Sequence, residues 1–221
     1  MILKDIPFID IHTHRRSEGY GTYGVHPWTL DASVIASEAN PEGLTDQREV
    51  TKQPNLTLLE ILLKENKIVA IGETGLDRYH KDTYNLQLEV FEQHISLSEQ
   101  YQKPLIIHNV KATDDILKLH KKHHPSQPWI IHGFNGTTEE VRQLTTQGIC
   151  LSVGESIFYP NRKITKSISS IPLEYLFLET DTSDKSIQEV YGKASELLNL
   201  PLETLKQQIF ANFARLNLMP W

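Results

Sequence analysis

The sequence predicts an α/β protein of the TIM-type (β/α) barrel class, and two features of the chain support this prediction. Short apolar runs alternate with segments of helical periodicity, which is the pattern of a parallel sheet covered by helices. A polar residue also stands at the end of nearly every apolar run. In a (β/α) barrel the carboxyl ends of the strands meet at one face, where active sites are built.

We predict about seven clear strands from these apolar runs. They lie at 8–14, 23–26, 68–73, 104–108, 128–132, 149–153 and 176–181. The run at 68–73 is continuously apolar up to Glu73, as expected of a strand buried on both faces. The segment between His14 and Tyr23 is too short for a crossover helix, which takes about a dozen residues or more. The barrel is therefore expected to be incomplete or distorted near its start.

Apolar residues at intervals of three and four predict the helices. These lie at 56–66, 85–100, from Asp114 onward, from Thr137 to Gly148, at 161–170, at 184–198 and from Pro201 onward. Thr137 and Glu140 have the spacing of a capping box, in which each side chain bonds the other's backbone N–H at a helix start. No linker or repeat interrupts the pattern, so residues 1–221 are predicted to form a single domain.

Composition narrows the possible functions. The chain has 221 residues, 39% hydrophobic and 23% charged, with a formal net charge of −6. This negative charge argues against a broad basic surface that binds a long nucleic-acid duplex. No apolar run is long enough to span a membrane, and we expect no obligate protein partner. The single cysteine, Cys150, excludes an internal disulfide and fits a reducing cytoplasm.

Histidines and carboxylates dominate the predicted strand ends. The set is His12, His14, Glu73, His108, His132 and Asp181. Nitrogen and oxygen donors of these kinds are typical of a metal site, and six of them suit two divalent ions roughly 3.5–4 Å apart. Glu73 is the natural bridge because a carboxylate offers two oxygens. Mixed imidazole and carboxylate ligands accept Zn, Mn, Mg, Ni or Fe, so the identity of the metal stays open.

Five further residues are predicted to support this site. Asp10 shares a strand face with His12 and His14, and it is expected, like Asp77, to lie behind the ligands. His26, Arg78 and Lys111 are candidates for substrate binding. Arg78 and Lys111 would bind an anionic group of the substrate.

Each position also has a structural interpretation. A histidine that ends an apolar run can be an ordinary core residue, and Glu73 or Asp181 can cap a helix. Asp77 or Arg78 can instead form a pair with another residue at the surface. Six coincidences on one predicted face favour the metal site over these alternatives.

The motifs together resemble the TatD family of metal-dependent hydrolases. The matching segments are Ile9–His14, Gly24–Pro27, Ile71–Asp77, Gln87–Phe91, Pro104–His108, His132–Gly136, Leu178–Asp181 and Asn212–Leu216. The resemblance implies a TIM-barrel metallohydrolase with DNase activity. It assigns one ion to His12, His14, Glu73 and Asp181, and the other to Glu73, His108 and His132.

The chain departs from the family pattern at four places. It lacks the βα unit that normally separates the His-x-His strand from the Gly-x-His-Pro segment. Asn109-Val110-Lys111 stands where the family usually has an arginine, Gly133 replaces a common cysteine, and Thr182-Ser183 replaces a residue followed by proline. All six predicted ligands are nevertheless present.

The leading hypothesis is a hydrolase in which a metal-bound hydroxide at a two-metal site cleaves phosphodiester bonds of DNA or of a small phosphodiester. Asp181 and Glu73 are the candidate catalytic residues. The alternative is an amide, ester or lactone hydrolase of the amidohydrolase type on a small substrate. A histidinol-phosphatase-like enzyme would need a late Asp-x-His, where this chain has Glu-Thr-Asp. A non-enzymatic, metal-stabilised binding module is a further alternative.

Overall fold

The computed structural model describes residues 6–13, 22–23, 56–216 and 218, with backbone only at 22, 23, 57 and 58. These residues fall into two compact units. The first unit is drawn from Met1–Tyr20 and Pro128–Trp221, and the second from Gly21–Gln127. The prediction of a single domain stays a prediction.

The second unit contains three parallel strands, in the order β1, β2, β3. Their bounds are β1 Thr22–Tyr23, β2 Ala70–Asp77 and β3 Leu105–Val110. Its helices are α1 Leu56–Lys64, α2 Tyr84–Tyr101 and α3 Thr113–His123, with a short 3₁₀ helix at Lys81–Thr83. Phe91 and Ile95 of α2 and Ile116 of α3 are buried, so the predicted apolar stripes of both helices face the core.

Strand β2 extends further than the sequence suggested. It was expected to end at Glu73, but it continues to Asp77 and is buried along its whole length. Its pairing with β3 shifts register between Ile71 and Thr74. At Gly75 the backbone has φ +141°, and a Cβ atom there would lie 2.2 Å from the carbonyl oxygen of His108. Only glycine lets the two strands approach this closely.

The first unit contains three further parallel strands, in the order β4, β5, β6. Their bounds are β4 Trp129–Ile131, β5 Cys150–Val153 and β6 Leu176–Leu178. Its helices are α4 Thr138–Thr146, α5 Ile164–Ser167, α6 Ile187–Leu198 and α7 Leu202–Arg215, with 3₁₀ helices at Glu155–Phe158, Ile168–Ser170 and Leu173–Tyr175.

The amino-terminal segment runs alongside β6 in parallel. The N–H of Ile11 donates to the carbonyl of Leu178 at 3.1 Å, and the N–H of Asp181 donates to the carbonyl of His12 at 2.9 Å. The Tyr191 hydroxyl of α6 bonds both backbone groups of Ile9, each at 3.1 Å. These contacts hold His12 next to the carboxyl end of β6.

Two capping boxes fix the starts of helices in the first unit. The predicted one at Thr137 and Glu140 is present. A second one, at Ser186 and Glu189, begins α6 at Ile187 rather than at residue 184 as predicted. The predicted helix at 161–170 is a short α-helix followed by a 3₁₀ turn. Within the described part of the chain, no helix has the length and apolar character needed to cross a membrane.

Candidate active site

In the second unit, His108 lies between two carboxylates. Its Nδ1 is 2.7 Å from Oε1 of Glu73, and its Nε2 is 3.5 Å from Oδ2 of Asp77. All three side chains are buried. β2 supplies both acids and β3 the histidine, and the parallel pairing of these strands brings them together. The contact with Glu73 is at hydrogen-bond distance, and a carboxylate next to the other nitrogen can orient the ring of a ligand histidine.

Asp77 is itself held in place by its surroundings. Its Oδ1 accepts a hydrogen bond from the N–H of Tyr79 at 2.8 Å. The side chain of Gln87 bonds the backbone N–H of Asp77 at 2.7 Å and its carbonyl at 3.2 Å. The side chain therefore stays fixed beside His108.

In the first unit, His12, His132 and Asp181 come together. The rings of His12 and His132 meet edge to face, with centroids 4.6 Å apart. Nε2 of His12 lies 3.7 Å from Oδ1 of Asp181, whose side chain is one third exposed. His132 directly follows β4, and Asp181 lies three residues beyond β6 in the left-handed region, at φ +50°. The described residues thus hold a second cluster of imidazole and carboxylate groups.

Sequence reasoning missed Glu179 as a site residue. Its side chain is fully buried, and its Oε1 lies 3.8 Å from Nδ1 of His132. The N–H of Gly133 donates to the same oxygen at 2.5 Å. The available signal was that an acid directly follows the apolar run Leu176–Leu178, two positions before Asp181.

Asp10 holds the segment that carries Asp181. Its two carboxylate oxygens accept hydrogen bonds from the backbone N–H of Thr180 at 3.0 Å and from the Thr180 hydroxyl at 2.6 Å. Burial raises the pKa of Asp10, and the bonds from Thr180 partly oppose this. Asp10 therefore acts on the backbone next to Asp181.

Arg78 and Lys111, the two cationic side chains predicted to bind substrate, have different neighbours. The Arg78 guanidinium donates to the Asp115 carboxylate, which also accepts from the Tyr84 hydroxyl at 2.5 Å. Arg78 thus forms the ion pair that was its structural alternative. Nζ of Lys111 lies 4.3 Å from the ring centroid of Tyr79, and that tyrosine is 67% exposed. His14 and His26 lie outside the described residues.

The donor chemistry of both clusters fits a divalent metal. Buried imidazole nitrogens and carboxylate oxygens are the ligands that Zn²⁺ and related ions take in hydrolases. Glu73 and His108 supply such donors in the second unit, and His12, His132 and Asp181 supply them in the first.

Comparison with known proteins identifies the family. The model of the family described as "TatD related DNase" matches residues 9–217. The chain belongs to this family. The resemblance inferred from the motifs is thereby confirmed.

Curated relatives support this membership. The chain is 29% identical, over 79% of its length, to the "Uncharacterized metal-dependent hydrolase YjjV" of Escherichia coli. It is 34% identical over 68% to YabD of Bacillus subtilis, which has the same description. It is 26% identical over 86% to the "Deoxyribonuclease Tat-D" of Schizosaccharomyces pombe. The aligned region spans only 59–62% of the length of these relatives.

Solved structures share the fold. The crystal structure of YjjV, the TatD homologue of Escherichia coli, matches with a TM-score of 0.71 at 25% identity, over 90% of this chain and 85% of that one. A TatD family hydrolase from Entamoeba histolytica matches with a TM-score of 0.69 at 23% identity, over 89% and 74%. The predicted α/β class of TIM type is confirmed.

Proposed function

We propose that this protein is a divalent-metal-dependent hydrolase that cleaves phosphodiester bonds in DNA. One observation carries the proposal. In each unit, a buried histidine lies close to a carboxylate beside parallel strands. The distance is 2.7 Å between Glu73 and His108, within β2 and β3, and 3.7 Å between His12 and Asp181, which follows β6. Relatives in the family are named metal-dependent hydrolases, and one is named a deoxyribonuclease.

The proposed metal ligands are the six that the sequence singles out, and the proposed number of ions is two. They are His12, His14, Glu73, His108, His132 and Asp181. When bound, divalent ions lower the pKa of water and neutralise charge on phosphoryl oxygens. Zn, Mn, Mg, Ni and Fe are all compatible with these donors.

Asp181 is the proposed proton acceptor. Its carboxylate is partly exposed and close to His12, so it can both reach water and be oriented by the protein. Its backbone is fixed by the hydrogen bond from its own N–H to the carbonyl of His12 and by the hydrogen bonds that Thr180 donates to Asp10. A carboxylate held in this way can orient the attacking water and take its proton.

The pair Tyr79 and Lys111 favours a nucleic acid over a small neutral substrate. Both follow the ends of adjacent strands, and the lysine ammonium lies over the exposed tyrosine ring. The ring face that the ammonium does not cover can stack on a base while the ammonium pairs with a phosphate, as in sites that bind single-stranded nucleic acids. This supports DNA as the substrate despite the net charge of −6.

The test is turnover by the metal-loaded protein on single-stranded DNA, a small phosphodiester, and ester and lactone substrates. Cleavage of DNA that requires divalent metal is the expected result. The variant Asp181→Asn should lose about 10²–10⁴-fold in turnover and keep most of its bound metal. Asp184→Asn removes the same charge from an exposed position nearby and should keep full turnover.

Two results would contradict the proposal. Hydrolysis of the lactone or ester alone would show that the protein is a hydrolase of the amidohydrolase type. Full turnover in Asp181→Asn would show that Asp181 has no catalytic role.

A further inference from the structure

We propose that Glu179 is a positioning residue of the metal centre, whose buried carboxylate orients His132 as a ligand and stabilises a cation bound there. This rests on the proposed function, in which His132 is a metal ligand. Glu179 lies behind the histidine pair of the first unit, where the side chain of His132 faces it through Nδ1 at 3.8 Å.

The burial of Glu179 requires a compensating partner. Its side chain is fully buried, and a carboxylate removed from water costs several kcal/mol unless charges and hydrogen bonds offset the loss. The N–H of Gly133 gives one strong hydrogen bond. Nδ1 of His132 lies 3.8 Å from the same carboxylate oxygen, so positive charge on this histidine, or on a cation bound to it, can offset the burial of the carboxylate.

The position of the Glu179 carboxylate determines which ring nitrogen of His132 carries the proton. A carboxylate that faces Nδ1 favours a proton there, which leaves the Nε2 lone pair as the donor for a metal. Carboxylates behind ligand histidines do this in many metal sites, and removing them typically weakens metal affinity by about 10–100-fold. Asp77 has the same relation to His108 in the second unit.

Gly154 leaves room for the side chain of Glu179. A Cβ atom at Gly154 would lie 3.1 Å from Cγ of Glu179 and 3.2 Å from its carbonyl oxygen, so Glu179 would have to shift by a few tenths of an ångström. Alanine at position 154 would therefore displace the acid slightly without removing its charge.

The closing experiment measures Zn²⁺ affinity by competition with a chromogenic chelator. Glu179→Gln keeps the shape of the side chain and its bond from Gly133, and it should bind Zn²⁺ at least 10-fold more weakly. Glu189→Gln is the matched control, because it removes an exposed charge from the same unit and glutamine preserves the capping box. It should bind Zn²⁺ within twofold of the wild type.

A second readout separates positioning from general loss of structure. In the metal-free wild type, ¹⁵N NMR should find the neutral His132 ring protonated at Nδ1, and Glu179→Leu, which removes the acceptor, should shift it towards the other tautomer. If Glu179→Gln does not fold, Gly154→Ala takes its place and should also weaken Zn²⁺ binding.

The proposal fails if a folded Glu179→Gln variant, or Gly154→Ala in its place, binds Zn²⁺ within twofold of the wild type. It also fails if the tautomer of His132 is unchanged. Failure of the wild type to bind any divalent metal would instead reject the proposed function on which the inference rests.

Discussion

Buried histidines in this protein have different surroundings and hence different consequences. His108 lies between Glu73 and Asp77, whereas His94 lies in the core face of α2 with its Nδ1 2.7 Å from the carbonyl oxygen of Val90. Burial lowers the pKa of His94 to about 4, and the bond to Val90 only partly opposes this. The side chain is therefore neutral in the folded protein at neutral pH.

This pKa predicts a loss of stability in mild acid. The unfolded chain binds a proton at His94 below about pH 6.5, and the folded protein does so only near pH 4. Between these values the unfolded state holds more protons, so the free energy of unfolding falls as the pH is lowered, by up to about 3 kcal/mol. Above pH 6.5 this contribution is constant. Urea unfolding at a series of pH values measures the effect.

The variant His94→Gln should show a flatter pH dependence, because glutamine does not titrate. His124→Gln removes an exposed histidine from the end of α3 and serves as the control, which should follow the wild type. Equal slopes for the wild type and His94→Gln would contradict the prediction.

Single residues also show the limit of what the sequence could reveal. The candidate donors were predictable because they follow apolar runs, although the structure places Glu73 and His108 within β2 and β3 and not at their ends. The partners of these side chains could not be predicted, because the pairs Glu179–His132 and Asp115–Arg78 join distant parts of the chain. No periodicity encodes which acid meets which base.

Among the elements, β2 has the strand end that lies furthest from its predicted position, at Asp77 instead of Glu73. The polar run Glu73-Thr74 breaks its apolar pattern, yet both side chains are buried. The helices were predicted well because periodicity and capping boxes are local signals. The end of β2 depends instead on how closely it approaches β3, and that is visible only in the fold.

Gly75 is the position where this approach can be tested. In Gly75→Ala the added methyl group would lie 2.2 Å from the carbonyl oxygen of His108, at a φ of +141° that alanine rarely adopts. Overpacking and backbone strain together should cost about 3 kcal/mol or more. The loss is measured by chemical denaturation, and Zn²⁺ affinity should fall with it, because the clash displaces His108.

Gly192 provides the matched control for this substitution. It is exposed within α6, and nothing lies within 4 Å of an added Cβ atom. Gly192→Ala should leave stability unchanged or raise it by about 0.5–1 kcal/mol, since alanine favours the helix. A Gly75→Ala variant as stable as Gly192→Ala would show that the strands can separate at little cost.

On the scale of the whole molecule, buried histidine and acid clusters occur in both units of a chain whose formal net charge is −6. Two divalent ions would offset four of these six excess negative charges. An excess of negative charge weakens the attraction to DNA. Metal binding should therefore serve both the chemistry and the approach of an anionic substrate.

Removing the metal should also destabilise the folded protein. A ligand at about 100 times its Kd stabilises the folded state by roughly 2.7 kcal/mol, and each kcal/mol shifts the Tm of a chain of this size by about 2–4 °C. Excess EDTA should then lower the Tm by about 5–10 °C, and added Zn²⁺ should restore it. His132→Gln should abolish most of the shift, while His124→Gln should retain it. If the Tm of the wild type is the same with EDTA as with Zn²⁺, the buried clusters hold no metal that contributes to folding, and their histidines and acids would be structural pairs.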